Sequence, residues 1–416
     1  MMERQLRALL LPVAAAICAL CAGCGLGIEP TVQLITNRPE LAAYVDRFNA
    51  VQSDVKVEIS YQEVPSQAVL DGVPGDVVIG EWLPSPAVMD RLDALGDLVK
   101  PGKIDPSGIY PGLLAMCSRD NRPVLVPISF TLPAIVYVRL PSDLPSMFMP
   151  LDTLQSMGKA FNRSGKNGLL TTMGFSPLWN WNADFLTTAA LLFGARFRPG
   201  RNGLLAWDEN GLKKTVDFTR QWLAAVNGGA AADADFSRRY LVQPWYKLLT
   251  SGKALFALAP FTDFFALPEE ERRDFDFRWL SQAGAIPVMP NVLSGGVLRL
   301  SRNKAGARAF LQWFCSLPVQ QMLLNVNQSL RIGVFGVTDG FSAFKGMNEK
   351  DLPLRYPLLL GHVPQENILS FPETLPDNWL KLRDAVIRPW IAETATGTEQ
   401  GDLDKKLVEW QAAQKK

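Results

Sequence analysis

Glu81 follows the apolar run "GDVVIG" and Asp263 follows "KALFALAPFT", so each carboxylate sits just past a stretch that reads as a β-strand. Clefts in α/β sheets open beyond strand ends. Two acids there suit either of two chemistries: general acid with base or nucleophile at a glycosidic bond, or the gripping of hydroxyl groups. An acid ending an apolar strand is costly unless exposed or paired, which makes Glu81 the strongest polar candidate. A second signal is "FSPLWNWNADFL", where Trp179 and Trp181 each precede an asparagine. Trp181 and Phe185 stand i, i+4 across a helix start, a packing role. Trp179 lies ahead of that helix and is the candidate for a flat ligand platform.

Other chemistries find little support. The single histidine, His362, removes most Ser-His-Asp, Cys-His and His-metal constellations, and its turn-like context "LLLGHVPQEN" points to a structural or solvated role. "SGKNG" and "TSGKAL" lack the upstream glycine and following Ser/Thr of a phosphate loop, and no GxGxxG follows a strand. No cofactor and no metal are expected. Lys plus Arg number 42 against 41 Asp plus Glu, a neutral balance that argues against a nucleic-acid partner. Beyond Cys24 only Cys117 and Cys315 remain, either as one bridge or as two buried thiols.

The elements that must position these residues begin with an exported leader. "MMERQLRALLLPVAAAICALCAGC" places Arg4 and Arg7 before an apolar run too short for a membrane span. Its end is similar to the bacterial lipobox, with Ala22 and Gly23 before an acylated Cys24 and with Cys21 where leucine is usual. Residues 1–23 then form the signal and 24–30 a linker. "TVQLITN" reads as a strand, Asn37 as the cap of a helix with Leu41, Tyr44, Val45 and Phe48 on one face, and "VKVEISYQE" and "GDVVIGEW" as further strands. This is a βαβ layout with a parallel sheet. "RPVLVPISFTLPAIVYVR" carries three prolines, which predicts edge or crossing strands. Helices are expected at 152–160, 183–192, from Asp208, at 240–249, around Phe310 until Pro318, and at 402–414 on the surface. Strands return in "KALFALAP", "AGAIPVMP" and "LSGGVLRLS".

Several stretches, taken in order over nearly the whole chain, resemble the extracellular solute-binding proteins of ABC importers, specifically the maltose-binding-protein-like carbohydrate group. They are "AAYVDRFNAVQSDVKVEIS", "GDVVIGEWLPSPAVMDRLDALGDLV", "VPISFTLPAIVYV", "LTSGKALFALAPF" and "SGGVLRLSRNKAGARAFLQWFCSLPVQQMLL". The fourth departs from the family pattern at Leu255 and Phe256. The resemblance implies an α/β, two-lobed periplasmic-binding-protein fold of the class II type, with a hinge and an interlobe cleft. One lobe would take 31–129 plus about 274–328 and the other about 130–273 plus 329–416.

Carried across residue by residue, the resemblance implies a ligand set of Asn37, Arg38, Glu81, Trp82, Ser129, Phe130, Trp179, Phe261, Asp263, Gly295, Gly296 and Trp379. Asn37 has a second reading as a helix cap, Trp82, Phe130 and Phe261 as core, and Gly295 and Gly296 as turn formers. The expected function is capture of a carbohydrate and delivery to an ABC permease by a monomeric, lipid-anchored receptor facing the periplasm or exterior. A receptor for a non-sugar polar solute and a secreted glycoside hydrolase using Glu81 with Asp263 are the alternatives.

Overall fold

The computed structural model describes residues 31–139, 147–179, 184–200, 205–398 and 401–414. Two sheets organise it. The first is assembled from β1 (Thr31–Thr36), β2 (Lys56–Tyr61), β3 (Val77–Gly80), β4 (Val126–Phe130), β9 (Leu293–Val297) and β10 (Phe341–Ser342), in the order β10-β4-β9-β3-β1-β2. β3, β1 and β2 run parallel, as the βαβ pattern requires, while β9 and β10 run antiparallel to their neighbours. The second sheet has the order β7-β5-β8-β6, from β5 (Ala134–Val138), β6 (Phe148–Pro150), β7 (Ala257–Ala259) and β8 (Phe275–Ser281).

Strand alternation divides the core. In the first sheet Val32, Leu34, Val77 and Ile79 face the helices Leu41–Val51 and Lys304–Phe314, while Ile35 and Val78 face Val69, Val88 and Met89. In the second, Ala134, Val136, Phe275, Phe277 and Trp279 lie on one face and Ile135, Tyr137 and Leu280 on the other. This is the period-two geometry of a sheet buried on both sides. The apolar cluster on the first of these faces is continuous from one sheet to the other, through rings at their junction. Phe261 stacks on Phe341 at 6.1 Å and packs on Phe335 and Phe277 at 4.8 Å, and Trp279 meets Phe341 at 5.6 Å.

The chain crosses between the sheets at 131–133 and again between Ser281 and Leu293. Phe275–Ser281 pairs with β5, so the expected return to the first lobe at about Asp274 falls later. Phe341–Ser342 pairs with β4 in the first sheet, although everything after 328 was expected in the second lobe. β4 and β5 are interior strands, not the edge or crossing strands their prolines predict. Pro127 is accommodated because β9 shifts register opposite it, between Leu293 and Ser294, and a bulge tolerates a missing donor.

Three helices differ from expectation. The stretch 240–249 is split by Pro244 into Ala230–Tyr240 and Trp245–Thr250, as a proline without an N–H dictates. Pro318 opens the helix Leu317–Ser329 rather than merely ending the one before it. The last helix, Leu403–Gln414, buries Leu403 and Leu407, so it is docked and not simply superficial. Among the described residues no helix is long and apolar enough to cross a membrane.

Candidate functional site

The parallel strands β1 and β3 deliver Arg38 and Glu81 side by side beyond their carboxyl ends, where a cleft is expected. Arg38 donates to Glu81 and, through Nη1, to Asp339 Oδ2 at 3.3 Å. Glu81 Oε1 also accepts from Asn291 Nδ2 at 3.1 Å, and Asn291 Oδ1 accepts from Thr131 Oγ1 at 3.0 Å. One polar chain therefore runs Asp339–Arg38–Glu81–Asn291–Thr131 and ties both inter-sheet crossings to the ends of β1 and β3.

Burial is the first influence on each charge here. It pushes the Glu81 and Asp339 carboxyls above their usual range, with Arg38 only partly offsetting it. It opposes the charge on Arg38 too, but Glu81, Glu40 and Asp339 outweigh it and hold that guanidinium above its ordinary value. Glu40 is buried with Oε1 lacking a protein partner, and desolvation raises it as well.

Trp82 follows Glu81 with φ of 61°. A bulky residue in the left-handed region costs on the order of 1–3 kcal/mol and persists where surrounding structure enforces it. Trp82, beyond β3, and Trp379, which opens the helix Trp379–Leu382, line the same groove, and the buried Trp379 ring also packs on Phe197 at 5.0 Å. The groove has two chambers. An outer one of about 210 Å³ lies among Gln67, Trp82, Ser85, Asp377, Trp379 and Lys381. An inner one of about 250 Å³ lies among Thr131, Thr188, Phe261, Thr262, Asn291 and Asp339. Ser85 Oγ, Thr262 Oγ1 and Trp379 Nε1 are buried polar atoms on these walls with no protein partner. Buried donors and acceptors left unpaired are uncommon and ask for a partner. Flat indoles with scattered hydroxyl, amide and carboxylate groups suit a hydroxylated ligand. Among the described residues no three His, Cys, Asp or Glu side chains converge on a metal position.

Residues 35–321 match the bacterial extracellular solute-binding protein family. The chain belongs to that family. In structure this solute-binding protein is similar to the sugar-binding protein MalE of Xanthomonas citri, with 14% identity, a TM-score of 0.66, and 91% of this chain and 95% of that one covered. It is also similar to an ABC substrate-binding protein of Listeria monocytogenes in complex with cycloalternan, with 14% identity, a TM-score of 0.62, and 92% and 97% covered. A third is a solute-binding protein of Agrobacterium vitis with bound D-mannitol, with 15% identity, a TM-score of 0.58, and 92% and 97% covered. No curated protein sequence matches the chain. The two-lobed α/β fold expected from the sequence is the fold found, and the family is one of binding proteins rather than enzymes.

Within the solute-binding protein the twelve anticipated site residues separate into groups. Trp82 and Trp379 line the groove, Arg38 and Glu81 lie behind its wall bonded to the lining residues Asp339 and Asn291, and Phe261 lines the inner chamber while sitting in the ring cluster at the junction. Asp263 is exposed on the first turn of Phe261–Ala266. Asn37 caps nothing: the helix begins at Leu41 without a side-chain cap, and Asn37 Nδ2 donates to Glu63 O at 3.2 Å.

Trp179 is 1% exposed, stacked on Phe236 at 6.0 Å and tilted against Phe175 at 5.9 Å. It packs the second lobe, because a ring ahead of a helix serves a core as readily as a ligand. Phe130 is likewise buried, between Tyr110 and Phe341, and Ser129 exchanges hydrogen bonds of 3.0 Å with Thr338. Gly295 and Gly296 form no turn and lie inside β9. A Cβ would meet Leu311 Cδ2 at 2.9 Å on the first and Leu125 Cδ2 at 2.9 Å on the second.

Cys24 and Trp181 lie outside the described residues. Cys117 and Cys315 are free, buried thiols, and burial pushes Cys315 to about 12. His362 packs on Phe277, with Nε2 3.2 Å from Arg278, a structural setting. Sequence reasoning missed Thr131, Asp184, Asn291, Asp339 and Arg383. The pairs "PN" before β9 and "TDG" before β10 were the available signals, and each marks only a loop.

Proposed function

We propose that this solute-binding protein captures a carbohydrate or polyol in the groove beside Trp82 and Trp379 and hands it to an ABC permease. The observation that carries the reading is one groove lined by two indoles, Trp82 and Trp379, together with Asp339, held by Arg38, and the Asn291 amide, held by Glu81 and Thr131. Aromatic faces take the C–H patches of a sugar ring, and the polar floor takes its hydroxyls. The acids around Arg38 outnumber it, which disfavours anionic solutes. The neighbours named above with cycloalternan and D-mannitol support a neutral hydroxylated ligand. We further infer that the protein acts as a monomer held at the membrane through an acylated Cys24.

Titration of purified protein with mono-, di- and oligosaccharides and alditols, followed by tryptophan fluorescence and melting temperature, tests the ligand class. Saturable changes with at least one are expected. No response across the panel, with a response to amines or anions, overturns the sugar reading. For the anchor, Cys24→Ser is expected to move the protein from the membrane to the soluble fraction.

A further inference from the structure

Among the described residues a cavity of about 50 Å³ lies between the two chambers and shares lining residues with both, and Arg383 forms one side of this neck together with Trp82, Asp184, Met289, Asn291 and Trp379. The Arg383 guanidinium carbon lies 5.6 Å from the centre of the Trp82 ring, within cation–π range, and Nη1 is 3.2 Å from Asp184 Oδ1. Nε is fixed by Asp384 Oδ1 at 2.8 Å. The side chain is thus held from two sides while covering the indole face that a ligand would use.

The backbone is shaped for the same position. The helix that starts at Trp379 widens into a π-helical turn over Arg383–Ile387 before resuming at Arg388. Such turns re-aim single side chains and concentrate at functional sites. Arg383 is 16% exposed, so the cation is committed to the groove and not to solvent.

We infer that Arg383 sets ligand length. The inner chamber takes a saccharide of one or two rings whose end reaches Trp82 and Trp379 at the neck, and the guanidinium over Trp82 stops a longer chain from running on into the outer chamber. The inference rests on the sugar reading above. A ligand extending past the neck must displace Arg383 from both Trp82 and Asp184, whereas a short one leaves that pair in place.

The test measures dissociation constants for one sugar series of increasing ring number with wild type, Arg383→Ala and Asp184→Asn, each first checked for an unchanged melting curve. Removing the cation from the indole is expected to raise the affinity ratio of four-ring over two-ring ligand about tenfold. Asp184→Asn, which frees the guanidinium from its anchor, is expected to raise the ratio by less. An unchanged length profile in both variants overturns the inference while leaving the sugar reading intact. A loss of affinity at every length in Arg383→Ala also overturns it and makes Arg383 a direct ligand contact. Absence of binding by any series in any variant removes the sugar reading, and this inference with it.

Discussion

Asp377 Oδ1 accepts a hydrogen bond of 2.7 Å from the backbone N–H of Ala87. Ala87 belongs to the helix Pro86–Met89 against the first sheet, and Asp377 to the segment leading into Trp379 of the second lobe. The bond therefore spans the mouth of the groove and favours the lobes' present approach. Asp377→Ala is expected to weaken ligand binding by about 1 kcal/mol, since the pair is exposed and a charged hydrogen bond in water is worth less than a buried one. The free variant is expected to show a larger radius of gyration by small-angle scattering. Asp377→Asn, which keeps an acceptor, is expected to stay near wild type in both.

Glu40 should make the protein less stable as the pH rises. Burial raises its folded-state pKa, so the folded form binds the proton more readily than the unfolded chain does. The favourable contribution is then present in acid, below the ordinary carboxyl value near 4, and is lost as pH climbs through the raised value. Glu40→Gln is expected to be more stable than wild type at pH 7 and to flatten the fall in urea-measured stability as pH rises above about 4. A variant that is less stable at pH 7 would show that the Glu40 charge is needed by Arg38.

The two tryptophans that draw attention in the sequence should behave oppositely. Trp82→Ala removes a half-buried ring from the groove and is expected to reduce affinity about tenfold or more, with little change in melting. Trp179→Ala empties a packed position and is expected to cost about 3–5 kcal/mol of stability. Chemical denaturation and ligand titration of the two variants side by side separate these roles.

Gly295→Ala tests whether the paired glycines serve packing. The added methyl meets Leu311 at 2.9 Å and Ile79 and Ile128 at 3.3 Å, and overpacking of this kind costs about 1–3 kcal/mol. Reduced stability with unchanged affinity is the expected outcome. Lost affinity at full stability would put the glycine backbone against the ligand.

The strands were legible because central strands are buried on both faces, which leaves runs such as "VVIG" with no polar interruption, because the edge strand β2 alternates instead, and because helix faces repeat at i, i+3, i+4, as Leu212, Val216, Thr219 and Leu223 do. Glu81 could be singled out because strand ends are where open α/β sheets place clefts, while Arg38 and Trp82 were reached through the family resemblance. The rest of the groove is non-local. Asn291 reaches Glu81 from 210 residues away and Asp339 reaches Arg38 from 301, and nothing in a polar loop announces which partner it will meet. Trp179 shows the limit from the other side: an asparagine follows it in sequence, while the ring that covers it, Phe236, lies on a later helix.

The ring cluster at the junction of the two sheets has a thermodynamic consequence. Phe261, Phe277 and Trp279 come from one lobe and Phe341 from a strand of the other, so neither lobe can lose its order without exposing part of its neighbour's interior. Lobes that merely touched would melt one after the other. These share a fused interior, and a single calorimetric transition, with van't Hoff and calorimetric enthalpies in agreement, is the behaviour such a junction imposes.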